Sequence, residues 1–139
     1  MLHIQKLSVG TETPEGLAEW QATKRAQTND GYPQHITRMW PKRAAELLDG
    51  GSIFWVIKGV MQCRQKIIRL DEYHRDGIRY CAIVSDPNLI RTTATPRRAF
   101  QGWRYLNPDD APPDLRAGHT SDDQLPTDLS KALADIGVL

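Results

Sequence analysis

His35–Ile68, HITRMWPKRAAELLDGGSIFWVIKGVMQCRQKII, is the stretch on which the fold turns. It reads as a short edge-like strand over His35–Met39, a helix over Pro41–Leu48, a double glycine, and two strands meeting at Gly59. Pro41 suits a first helical position, where no N–H is needed and φ is already set. Gly50-Gly51 supplies the positive φ that commonly ends a helix. Ile53–Ile57 is an almost unbroken apolar run of β-branched and aromatic residues, as a central strand requires. Gly59 marks a bulge or tight bend, the device with which small barrels turn corners. Past it, Met61, Cys63 and Ile67 form an apolar face, and Val60, Gln62, Arg64 and Lys66 a wet one.

Upstream, Leu2–Val9 alternates, with Leu2, Ile4 and Lys6 on one side. Thr13-Pro14-Glu15 opens a helix running to about Gln27, with Leu17, Trp20 and Lys24 on one face. Thr28–Gln34 is turn chemistry. Downstream, Asp76-Gly77 is a hairpin signal before a strand over Ile78–Val84. Pairing Arg75 with Ile78 sets Cys81 opposite Glu72 and leaves Cys63 far down the ladder, so that register predicts two buried thiols and no disulfide. Asp86-Pro87-Asn88 is another turn, followed by strands near Leu89–Thr93 and Phe100–Leu106. Asn107–Pro126 holds four prolines and five aspartates and reads as a linker. Leu129, Ala132, Leu133 and Ile136 then fall at helical spacing.

The expected organisation is therefore one α+β domain over 1–106, an acidic linker over 107–126 and an amphipathic helix over 127–139. The sheet is mixed or antiparallel and curled into a small barrel, with two helices before its central strands and one at the C-terminus. With 139 residues, 40% of them hydrophobic, the chain suits one core. No apolar run reaches membrane-spanning length, and Met1–Gly10 lacks the charged and apolar regions of a leader. A cytoplasmic protein without a membrane partner is the expectation. The terminal helix needs a surface to dock on, its own domain or a second copy in a homodimer.

The net charge of +1 hides an asymmetry. Ile36–Leu106 carries 13 Lys/Arg against 6 Asp/Glu, whereas Asn107–Leu139 carries 2 against 7. A basic middle beside an acidic tail fits an anion-binding face with its own counter-charge. Basic residues also interleave with aromatics, the pairing that single-stranded nucleic acid recognition uses for phosphate and for stacked bases. The candidate nucleic-acid-binding residues are Arg38, Trp40, Lys42, Arg43, Arg64, Lys66, Arg97, Arg98, Trp103, Arg104 and Tyr105. An RNA or a modified nucleotide is the expected partner.

Lys42 and Arg43 stand in the first turn of a helix, where its dipole disfavours cations, and a bound phosphate would reverse that penalty. An enzyme acting on a nucleotide or small phosphorylated compound is the alternative, with phosphate at Pro41–Arg43 and Lys58 as electrophile or base. A protein-interaction domain is the third reading. The four histidines and two cysteines have no metal-ligand spacing, and no P-loop or dinucleotide fingerprint is present. No cofactor and no catalytic constellation are expected.

The segments TRMWPKRAAELLDGGSIFWVIKGVMQCRQKI and RRAFQGWRYL, with IQKLSVG and LAEWQ before them, resemble a bacterial family, domain of unknown function 1489. The resemblance covers roughly residues 2–114 and implies no particular activity. The order of strand, glycine-ended helix and several strands is also similar to the PUA-like superfamily, including ASCH and EVE domains. That similarity implies a small barrel with helices at its mouth and a role in binding RNA or modified bases. Lys58-Gly59-Val60-Met61-Gln62 lacks the glutamate of the ASCH signature, so no catalytic role carries over.

Overall fold

A computed structural model describes residues 1–115 of the chain. The helix expected over 127–139 lies outside the described residues. Seven strands form one mixed sheet: β1 (His3–Leu7), β2 (Gln34–Thr37), β3 (Ser52–Ile57), β4 (Val60–Arg75), β5 (Ile78–Ser85), β6 (Ile90–Pro96) and β7 (Trp103–Leu106). Two helices, α1 (Pro14–Gln21) and α2 (Ala44–Leu48), precede β3 in the chain. The order across the sheet is β2-β5-β4-β3-β1-β7, and β6 pairs with β4. The β1–β3 ladder is parallel and every other ladder antiparallel. Among the described residues no helix is long and apolar enough to cross a membrane.

β4 organises the sheet. Its first half lies between β3 and β6, and its second half pairs with β5, which carries β2 on its far side. Two register shifts bend it, one passing over Gln62 and one over Ile68. A bulge adds a residue to one strand and increases its twist, so the β5–β2 flap folds back over the rest. The imidazole of His35 on β2 consequently meets the indole of Trp55 on β3, with ring centroids 5.8 Å apart.

The sheet curls but does not close into the expected barrel, because no ladder joins β2 to β7. β2 stops at Thr37 and the chain turns at Trp40-Pro41, where proline has no N–H to offer a neighbour. The two edges are tied instead by the indole N–H of Trp103, which donates to the Met39 carbonyl at 3.0 Å. The seam is held by a side chain.

The bulge at Gln62 also corrects the expected faces of β4. Cys63 stands opposite Trp55 and Met61 opposite Val56, so Met61 and Cys63 enter opposite cores. The inner core holds Leu2, Ile4, Ile53, Trp55, Cys63, Ile67, Ile83 and Trp103, capped by Leu17 of α1 and Leu47 of α2. The outer core holds Phe54, Val56, Met61 and Leu106 beneath Phe100 and Ala111. β3 is buried on both faces, which explains its unbroken apolar run.

Local signals are largely obeyed. The Thr13 hydroxyl accepts from the Gly16 N–H at 2.9 Å and starts α1, which ends at Gln21; a separate 3-10 turn, Lys24–Ala26, follows. Gly59 lies in a two-residue hairpin turn with Lys58, both at positive φ, rather than in a bulge. Asp76-Gly77 forms the same kind of turn, with Glu72 opposite Cys81, and both cysteines are buried and unpaired. α2 is shorter than expected, since Arg43 at φ -101 and ψ 44 is not helical. Gly50 has φ 81 after α2, whereas Gly51 is needed for space: a Cβ there would lie 2.1 Å from the Leu2 carbonyl oxygen.

Candidate ligand-binding site

At the open end of the curl lies a cavity of about 650 Å3, within the range of small-molecule sites. Its walls come from the end of β1, the 8–13 loop, α1 and β2. The alternation of β1 places Leu2, Ile4 and Lys6 on the inner face, and the first two enter the core. Lys6 is in register with Trp55 of β3 on one side and Trp103 of β7 on the other. It is a lysine where the pattern calls for an apolar residue. Its ammonium donates to the Leu7 carbonyl at 3.1 Å.

Leu17, Pro33, Trp55 and Ser85 are the buried part of the cavity lining, and His35 and Gln34 of β2 also line it. Trp20 of α1 is 46% exposed at the rim. Next to it in the chain, Gln21 lines the cavity and pairs with the fully buried Gln65 of β4. The Gln21 amide nitrogen donates to the Gln65 oxygen at 2.7 Å, and the Gln65 nitrogen to the Gln21 oxygen at 2.6 Å. Gln65 also accepts from the Trp55 indole at 2.9 Å and donates to the Asp86 carbonyl at 3.2 Å.

Burial sets the electrostatics. It lowers the Lys6 pKa from the usual lysine value. His35 is pushed down to about 4, first by burial and then by the Lys6 charge, so its imidazole is neutral at pH 7. Glu12 at the rim is held by Lys58 at 3.1 Å. Lys6 is thus the one cation among the described lining residues, beside the carboxylate of Glu12, which Lys58 pairs, and a mixture of rings, amides, hydroxyls and aliphatic side chains.

The eleven candidate residues read from sequence do not form one face. On β7, period two splits the interleaved pattern: Trp103 and Tyr105 pack in or against the inner core, while Arg104 lies over Phe100 at 5.2 Å. Trp103 is 4% exposed, so it is core and no stacking platform. Trp40 packs against the same core, and the Arg79 guanidinium covers its ring at 4.3 Å. Arg43 forks onto Glu46 at 2.6 and 2.7 Å, and its backbone N–H donates to the Tyr105 hydroxyl at 3.1 Å. That contact and the five-residue length of α2 leave no helix-end phosphate site at Pro41–Arg43.

Arg64 is bound on three sides: to Asp114 at 2.8 and 2.7 Å and to the Ser52 hydroxyl at 2.8 Å. Asp114 arrives on the acidic segment, which runs beside β6 through the Thr93 N–H to Pro113 and the Leu115 N–H to Arg91. Lys66, in register with Ser52, is exposed. Arg97 is fastened by its N–H to the Gly59 carbonyl, with Arg98 exposed beside it. Arg38 and Lys42 are exposed on the segment between β2 and α2. Lys58 sits in the β3–β4 turn and does not line the cavity. Among the described residues, no three His, Cys, Asp or Glu side chains gather as a metal site needs.

Of Lys6, His35, Gln21 and Gln65, only Lys6 and Gln65 carried faint signals in the sequence. Lys6 shares a face with Leu2 and Ile4, and Gln65 falls between Cys63 and Ile67 on an apolar alternation. A polar residue on a core face is the informative observation. His35 and Gln21 had no such mark, because their neighbours come from other elements. No curated protein and no solved structure matches the chain. One family model does, over residues 4–139, and the chain therefore belongs to the family described as protein of unknown function DUF1489.

Proposed function

We propose that this domain binds a nucleotide unit, free or as one base of a single-stranded RNA, in the cavity between β1, α1 and β2. The observation that carries this is Lys6 rising between two tryptophans into a ring-lined cavity of nucleotide size. A phosphate accepts from Lys6, whose ammonium has three donors and spends one on Leu7. A flat base finds Trp20, Trp55 and His35 as apolar and π surface, and amides for its polar edge. The exposed cations Arg38, Lys42, Lys66, Arg98 and Arg104, with the half-buried Arg97, then act as diffuse attraction for an RNA chain, and Trp40 and Trp103, which do not line the cavity, do not stack.

Tryptophan fluorescence titrated with nucleoside monophosphates and with a mixed RNA pool tests this, because Trp20 and Trp55 both line the cavity. Saturable quenching is expected. Lys6→Met should weaken binding about 10- to 100-fold, the range for a charge-assisted bond to phosphate of about 1.5–3 kcal/mol. If no nucleotide and no RNA perturbs the wild-type spectrum, the nucleotide assignment fails. If Lys6→Met binds like wild type, the ligand is elsewhere.

A further inference from the structure

We infer that Gln21 is the specificity-determining residue of the cavity: it presents an amide of fixed orientation, its free N–H and its free oxygen lone pair at set positions, to the edge of the bound base. The inference rests on the nucleotide reading above and says which part of the nucleotide the wall discriminates.

A glutamine on a pocket wall ordinarily reads nothing by itself, because its amide turns over to show oxygen or nitrogen as the ligand requires. This one cannot turn. An indole N–H only donates and a backbone carbonyl only accepts. Gln65 lies between the Trp55 indole at 2.9 Å and the Asp86 carbonyl at 3.2 Å. Its oxygen must face the first and its nitrogen the second; reversal would set donor against donor and acceptor against acceptor. Gln21 joins Gln65 by two opposed bonds of 2.7 and 2.6 Å, so the orientation of one amide dictates the other.

The count of valences gives the consequence. Gln65 accepts twice and donates twice, which exhausts its amide. Gln21 spends one N–H and one lone pair on that pair and keeps one of each. Of the two, Gln21 is the one that lines the cavity. A base whose phosphate meets Lys6 must therefore offer an acceptor to Gln21 Nε2 or a donor to Gln21 Oε1, each at its set position. A base that reverses those positions sets donor against donor or acceptor against acceptor, the kind of mismatch by which polar sites reject wrong ligands.

The test separates affinity from selectivity. Wild-type protein should rank the four ribonucleoside 5′-monophosphates over at least about tenfold, as one misplaced hydrogen bond implies. Lys6→Met should weaken all four alike and keep the ranking. Gln65→Met, which touches no ligand, releases the Gln21 amide and should compress the ranking to within about threefold. A wild-type ranking retained in Gln65→Met overturns the role of Gln21 while leaving the nucleotide site standing; absence of binding by any monophosphate overturns the site itself. Should Gln65→Met fail to fold, side-chain amide NMR of the wild type decides. One of the two Gln21 Nε2 protons should move on saturation with the best monophosphate, and the inference is wrong if neither does.

Discussion

Arg64 and Lys6 are both cations on strands of the same sheet, and they have opposite fates. Arg64 faces the outer side, where it spends its guanidinium on Asp114 and Ser52. Lys6 faces inward at the mouth of the curl and spends one of three donors on a carbonyl. The outer arginine lies in the most basic part of the sequence, the inner lysine in a stretch with little charge. Charge density along a chain therefore misleads about where an anion can bind. What matters is the valence left over after the protein has satisfied itself.

The strongest test of the contrast is acid titration of the cavity side. The His35 pKa is about 4 when folded, against 6.5 ordinarily. The unfolded chain therefore binds a proton first as pH falls, so the stability this imposes is full above about pH 6.5 and is lost towards pH 4. The loss should be about 3 kcal/mol at most. His35→Phe keeps a ring against Trp55 and cannot titrate, so its denaturation free energy should fall less steeply across that window, the remaining slope coming from groups such as His3, whose pKa burial also lowers. An unchanged slope would mean that the imidazole is not held neutral.

A second comparison sets Gln65 against the surface amides. Gln65 is fully buried, and Gln65→Met strands the Trp55 N–H and the Asp86 carbonyl. Urea unfolding should show a loss of about 2–3 kcal/mol. A loss below about 0.5 kcal/mol, the range of ordinary surface changes, would show that the amide pair does not persist.

On the outer face the effects are smaller. Arg64 holds the Asp114 carboxyl below its ordinary value through their hydrogen bonds. That stabilisation is present above about pH 3.8 and disappears as pH falls below it. Asp114→Asn should cost about 1 kcal/mol at neutral pH, because the pair is partly exposed, and progressively less as pH falls below about 3.8. The same variant unmasks Arg64, so RNA affinity at low salt should rise slightly. A fall in affinity would place Asp114 itself in the site.

The smallest effect is expected from the double variant Arg97→Ala, Arg98→Ala. The slope of log affinity for RNA against log salt should fall by no more than about 2. Mononucleotide affinity should not change. If it drops as far as in Lys6→Met, the β6–β7 loop holds the ligand and the cavity does not.

Much of the fold was legible in order and type. Thr13-Pro14, Gly50, Asp76-Gly77 and the apolar run at Ile53–Ile57 each act through their own backbone geometry, which needs no distant partner. The site was less legible. Basic and aromatic residues adjacent in FQGWRYL were separated because a strand sends neighbours to opposite faces. The shift at Gln62 put Met61 and Cys63 in different cores, although their spacing implies one face.

The sequence by itself determined the α+β class, the hairpin turn at Asp76-Gly77, the start of α1, and the register that keeps Cys63 from Cys81. These follow from φ preference, hydrogen-bonding caps and period two, all of them properties of short segments. Only the tertiary structure decided that the sheet stays open, that Asp114 returns to Arg64, and that Lys6, Gln21, His35 and Trp55 share one cavity. Those outcomes depend on where two bulges bend β4, and the resulting contacts join residues as far apart as Arg64 and Asp114. No local preference encodes such a meeting; it follows from the packing of the whole sheet.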